Sequence, residues 1–197
     1  MYRILYIALM NKLQELGKEL IQFTYAIGFF SELILAILVL YVLYERSLSF
    51  FPDAVYLVGF VASVYLNRGL KEWLRGRRPA RPVKFLAAEN FGTAAEMQNA
   101  YGMPSGHAQQ VAYSLVYLYA TTGEWMPWTA IGTVIGALMV WERWQFRNHT
   151  LGQLAVGLLV GAVVGLAVVG LRDFVFKATD VAHAKPSAET TPPQKEV

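Results

Sequence analysis

Apolar positions along this chain gather into long runs parted by short polar stretches. Residues 2–22 are the exception: Ile4, Leu5, Ile7, Ala8, Leu13, Leu16 and Leu20 recur at helical spacing, with Asn11, Lys12, Gln14, Glu15, Lys18 and Glu19 between them. That pattern predicts an amphipathic helix lying at a membrane surface, with a short sixth span as the alternative. The uniform runs cover 24–44 (interrupted by Ser31 and Glu32), 54–74, 105–122, 128–146 and 149–171. Each comes close to the roughly 20 residues a helix needs to cross a bilayer. The predicted fold is all-α, a polytopic membrane helix bundle of five transmembrane helices plus the N-terminal amphipathic or sixth helix, as one domain over 1–177. Residues 178–197, rich in Ala, Thr, Pro, Glu and Lys, read as a disordered polar tail. In the last run Gly157, Gly161 and Gly165 recur every fourth residue, a face that lets another helix come close.

Composition strengthens the membrane reading. The 197 residues are 55% hydrophobic and only 16% charged, against roughly 25% charged in soluble domains. There is no cysteine, which excludes disulfides, thiolate nucleophiles and cysteine-ligated metals. Met1-Tyr2-Arg3 lacks the order of a cleaved signal peptide. Glu32, a carboxylate inside an apolar run, is a functional candidate by position alone.

The net charge of +3 is unevenly placed. Arg68, Lys71, Arg75 and Arg78 follow one another at offsets that put them within about 80° of arc on an α-helix, which Pro79 is expected to stop. The polar loop 80–103 is long enough to suggest a function. It leads into Tyr101-Gly102-Met103-Pro104-Ser105-Gly106-His107-Ala108-Gln109, a helix opening with Ser105 as N-cap, Gly106 leaving its backbone open, and His107 able to exchange a proton near neutral pH. If the spans alternate across a bilayer, the cationic stripe, Ser105/His107 and Arg143/His149 all reach the same side. A cytoplasmic excess of Lys and Arg would explain the cations but not the serine and two histidines at the same level. A cup for a dianionic phosphate explains both, with Lys71, Arg78 and Arg143 supplying charge and donors. Gln153, four residues after His149, can accept from one ring nitrogen and leave the other aimed at phosphorus, while His107 protonates the departing oxygen. No carboxylate joins the two histidines at a ligand spacing, so neither metal nor cofactor is expected.

These residues resemble the signatures of the type-2 phosphatidic acid phosphatase superfamily of membrane lipid phosphatases, related to vanadium haloperoxidases. Lys71 to Arg78-Pro79 matches Lys, six residues, Arg-Pro; Pro104–His107 matches Pro-Ser-Gly-His; and Glu142-Arg143, His149 and Gln153 match Ser-Arg, five residues, His, three residues, Asp. The match covers roughly 54–170. It implies that Lys71, Arg78, Arg143, Ser105 and the Gly106 backbone bind phosphate, that His107 is the general acid, and that His149 forms a phosphohistidine which water hydrolyses. It also implies a site facing the periplasm or an organelle lumen. Glu142 stands for the usual serine and Gln153 for the usual aspartate. His-Thr-x-x-Gln with Tyr-Gly-Met-Pro-Ser-x-His-x-Gln looks like the dolichyl-diphosphatase branch, and glucose-6-phosphatase-like members also carry the glutamine. The implied substrate is a polyprenyl diphosphate or related lipid phosphate, with phosphatidic acid, phosphatidylglycerol phosphate, a phosphotransferase reaction or a non-catalytic lipid-binding role as alternatives. The expected partners are the bilayer and the lipid substrate, with no nucleic acid.

Overall fold

The computed structural model describes residues 2–46, 50–80, 101–123 and 127–183, with side chains from Met10 to Lys177. Six helices run through them: α1 (Tyr2–Phe29), α2 (Ser31–Arg46), α3 (Phe51–Leu74), α4 (Gly106–Thr122), α5 (Pro127–Gln145) and α6 (Leu151–His183). No strand occurs among the described residues, only an isolated antiparallel bridge between Arg77 and Tyr101.

Helix α4 is the axis of the bundle, packed most extensively on α6 and touching α2, α3 and α5 as well. The glycine stripe of α6 makes that approach possible. A Cβ on Gly157 would lie 2.5 Å from the Ser105 carbonyl oxygen, one on Gly165 3.0 Å from Val116, and one on Gly161 would run into the Gln109 carbonyl. Away from the glycines, Tyr56, Tyr113 and Tyr117 are buried together in one cluster of the core. Their hydroxyls are satisfied internally: Tyr113 donates to the Tyr56 carbonyl at 2.8 Å, Tyr117 donates to that of Pro52 at 2.9 Å, and Tyr56 pairs with Ser114 Oγ at 2.8 Å.

The bundle buries polar side chains among its apolar core and turns large apolar side chains outward. Ser63, Asn67, Gln109 and Ser114 are buried with hydrogen-bond partners, while Val58, Val61, Val134, Leu159, Val163 and Leu166 face outward. Water would reward the opposite arrangement, whereas a hydrocarbon solvent demands internally satisfied polar groups and tolerates an apolar exterior.

The structure departs from the sequence reading in several places. Residues 24–44 are not one helix: α1 runs on from the amphipathic segment to Phe29, and α2 leaves it at 61° across Phe30. Ser31 and Glu32 are therefore the opening residues of a new helix. Helix α3 ends at Leu74, before Pro79, because Arg75 takes a left-handed cap conformation (φ 49°, ψ 30°) and returns its N–H to the Lys71 carbonyl. Arg75 and Arg78 thus leave the helical stripe, and Arg78 is carried by an extended segment. Helix α6 continues to His183, so the first residues assigned to the polar tail are helical, and 184–197 lie outside the described residues. So does most of the 80–103 loop. Among the described helices only Leu151–Lys177 is long and apolar enough to cross a membrane alone, with the bent pair Met10–Phe29 and Ser31–Arg46 qualifying together. The expected five spans are not matched by that count. Helix α3 carries Asp53, Arg68, Lys71 and Glu72, and α4 has only 17 residues.

Candidate active site

The site forms where the end of α3, the start of α4, the end of α5 and the approach to α6 meet. Ser105 caps α4 as the sequence predicts: its backbone is extended and its Oγ accepts from the Ala108 N–H at 3.5 Å. The Ser105 N–H donates to the Gln153 carbonyl at 3.1 Å, which ties the start of α4 to the first turn of α6. A Cβ on Gly106 would meet Asn67 Oδ1 at 3.3 Å and Lys71 Nζ at 3.9 Å, so the Lys71 ammonium lies beside the open backbone. The Arg77–Tyr101 bridge and a 2.7 Å bond from the Gly102 N–H to the Gly76 carbonyl bind the segment after α3 to the one before α4. Arg78 is thereby turned inward. Its NH1 donates to the Asn148 carbonyl at 3.4 Å, and its Nε is buried with no partner among the described residues. Burial and the neighbouring Arg143 pull its pKa down to about 10.

The turn between α5 and α6 presents His149. Its N–H and that of Asn148 both donate to the Arg143 carbonyl at 3.0 Å. The ring is buried, and Nδ1 lies 2.9 Å from the Gly102 carbonyl and 3.3 Å from Gln153 Oε1. Two acceptors fix the proton on Nδ1 and leave Nε2 as the free lone pair. Burial, followed by the charges of Arg78, Arg143 and Lys71, lowers the His149 pKa to about 3, so the ring is neutral and nucleophilic at physiological pH.

Gln153 is held at both ends. Its Oε1 also accepts from the Thr150 N–H at 3.1 Å, and its own N–H donates to Thr150 Oγ1 at 3.2 Å. Thr150-x-x-Gln153 is a reciprocal capping box. Its Nε2 donates to the Arg77 carbonyl at 2.7 Å, which fixes the amide orientation. An acid in place of glutamine would set a carboxylate oxygen against that carbonyl. Gln153→Glu is therefore expected to lower turnover about tenfold, the order of one lost buried hydrogen bond, despite restoring an acidic group. A rise in turnover would show that the Arg77 contact is dispensable.

His107 lies on the first turn of α4, with Nε2 2.8 Å from Arg143 NH2 and 3.2 Å from the Phe29 carbonyl. One neighbour is a donor and the other an acceptor, so the nitrogen has a partner whether or not it carries a proton. Glu32 Oε1 stands 3.9 Å away. The structure thus brings Lys71, Arg78, Arg143, Ser105, Gly106, His107, His149 and Gln153 to one end of the bundle, while Arg68 is exposed beside Glu72.

Several participants escaped the sequence reading. Asn67 donates to Gln109 Oε1 at 2.8 Å while Gln109 Nε2 donates to Ser63 Oγ at 2.9 Å, bracing α3 on α4. Phe29, Asn148 and the carbonyls of Gly102 and Arg77 also belong to the site. Only the capping box carried a readable signal; backbone carbonyls carry none.

The sequence model of the PAP2 superfamily matches residues 54–177. The chain belongs to the PAP2 superfamily. A curated relative, lipid phosphate phosphatase epsilon 2, chloroplastic, of Arabidopsis thaliana, is 26% identical over 113 residues, 54% of this chain and 35% of the relative. The chain thus matches about a third of that protein's length. Among solved structures, a transmembrane PAP2-type phosphatidylglycerolphosphate phosphatase from Bacillus subtilis superposes with a TM-score of 0.58 at 19% identity, covering 80% of this chain and 77% of the other. That likeness establishes the PAP2 phosphatase fold. The motifs quoted from the sequence all lie inside the matched segment, and α1, which supplies the Phe29 carbonyl, lies outside it.

Proposed function

We propose that the chain is an integral-membrane phosphatase of lipid phosphates, working through a phosphohistidine without a metal. The observation that carries this reading is the tethering of His149 Nδ1 to Gly102 and Gln153, which leaves Nε2 unprotonated in the field of Lys71, Arg78 and Arg143. The three cations and the Gly106 backbone hold the phosphate oxygens, and the apolar exterior lets the lipid tail stay in the bilayer. Nε2 attacks phosphorus, forming the N–P bond as the bond to the lipid oxygen breaks. His107 gives its proton to that oxygen. In the free site Arg143 donates to His107 Nε2, which is then unprotonated; a bound phosphate draws that donor away, Nε2 takes up a proton from solvent, and that proton passes to the lipid oxygen as its bond to phosphorus breaks. Water then attacks the phosphohistidine, releasing inorganic phosphate and restoring the imidazole.

Within that class, the His-Thr-x-x-Gln pattern favours a dolichyl-like polyprenyl diphosphate, and the fold neighbour is a phosphatidylglycerolphosphate phosphatase. We place the site at the periplasmic or lumenal face. The test is phosphate release by purified protein from dolichyl diphosphate, undecaprenyl diphosphate, phosphatidic acid, phosphatidylglycerol phosphate and glucose 6-phosphate, with no acceptor present. Turnover highest on one lipid substrate is expected. Release only when an acceptor lipid is added would indicate a phosphotransferase, and none under any condition would sink the reading.

A further inference from the structure

Glu142 stands where the family signature has serine, beside a proposed phosphate-binding arginine, and its side chain is fully buried. The position is a costly one for a carboxylate. It falls in the last turn of α5, where the free carbonyls repel negative charge, and sequence neighbours on a helix do not ordinarily face each other. Yet Arg143 curls back until its Nε lies 2.9 Å from Glu142 Oε2, an ion pair without hydrogen-bond alignment, and Asn148 Nδ2 donates to Glu142 Oε1 at 3.3 Å. From that pairing the far end of the same guanidinium reaches His107 Nε2 at 2.8 Å. Asn148, for its part, sits next to His149 and takes the Arg78 contact on its carbonyl. Helix α1 closes over the pair: a Cβ on Gly28 would lie 2.6 Å from Glu142 Cβ, and the Phe29 ring lies 5.2 Å from the Arg143 guanidinium carbon.

We propose that Glu142 is a positioning residue for phosphoryl transfer, holding Arg143 by the ion pair at one oxygen and Asn148 Nδ2 by the hydrogen bond at the other. It thereby sets the distance between the arginine that holds phosphate and the turn that bears the nucleophile. Holding Nε leaves the two terminal nitrogens of Arg143 to face a ligand as a fork. A serine hydroxyl is too short to hold both partners, so this chain joins by one carboxylate what its family signature does not. The inference rests on the phosphatase reading above.

Three variants separate the two grips, each assayed for turnover on the best lipid phosphate and for orthovanadate affinity. Glu142→Gln keeps an acceptor for Asn148 but sets an amide against Arg143, so KM and the vanadate Kd are expected to rise about tenfold while kcat changes less than about threefold. Asn148→Asp sets two buried carboxylates against each other and should lower kcat at least about tenfold. The double variant Glu142→Gln/Asn148→Asp restores a donor–acceptor pair between helix and turn. Its kcat should recover to within about threefold of wild type while KM stays raised. If Asn148→Asp does not fold, Glu142→Gln and the double variant carry the test alone. Unchanged KM and vanadate affinity in Glu142→Gln, with only a lower melting temperature, would overturn the proposal and leave the carboxylate a purely structural role. A wild-type protein that releases no phosphate would instead overturn the phosphatase reading, with the vanadate measurement still reporting on the grip.

Discussion

His149→Ala is expected to abolish phosphate release, with turnover falling at least about a thousand-fold, because the variant lacks the Nε2 lone pair to which the proposed mechanism gives the attack on phosphorus. Both Nδ1 contacts disappear with the ring, leaving the Gly102 carbonyl short of a donor. That costs about 1–3 kcal/mol of stability. The fold should survive, since the turn keeps its backbone bonds to Arg143 and the capping box keeps Thr150 and Gln153 together. The measurement is phosphate release from purified protein alongside thermal unfolding in the same detergent. A folded variant that still turns over would remove His149 as the nucleophile, whatever the family signature implies.

The second large effect lies far from any charge. Gly161→Ala is expected to destabilise the protein by about 3 kcal/mol, at the upper end of ordinary overpacking. The added methyl would overlap the Gln109 carbonyl and come within 2.9 Å of its Cα, and backbone cannot swing aside as a side chain can. Helices α4 and α6 would have to part, disturbing the Gln109 bonds to Ser63 and Asn67 and the Ser105–Gln153 link. Activity should therefore fall together with stability. Gly170→Ala on the same helix is the control: a Cβ there meets nothing within 4 Å, and the gain in helix propensity should make it neutral or stabilising. Equal melting temperatures for the two variants would mean that the stripe does not set the helix spacing.

The helices were legible because apolar runs and glycine spacing are strong signals. The convergence of Lys71, Arg78, Arg143, His107 and His149 was legible because it follows from alternating helix direction. The bend at Phe30 was not, since it falls in an apolar stretch with no proline, and Ser31 and Glu32 read as interruptions of one run. The end of α3 was missed for a similar reason: a left-handed arginine at position 75 has no sequence mark, while Pro79 offered a plausible but later stop. Gln153 was expected to orient His149, and the structure gives that contact. Its hold on the Arg77 carbonyl depends on which backbone segments lie side by side, which spacing alone does not encode. Glu142 shows in the sequence only as a departure from the family's serine, because its partner, Asn148, carries no motif.

The Phe29 carbonyl, the Phe29 ring under Arg143 and the space left by Gly28 all come from a helix that ends before the family-matched segment begins. The smallest piece of chain able to assemble this pocket is therefore longer than the segment the family model matches. A fragment begun at residue 50 would keep every recognised motif yet leave Glu142 uncovered and His107 without one of its two hydrogen-bond neighbours.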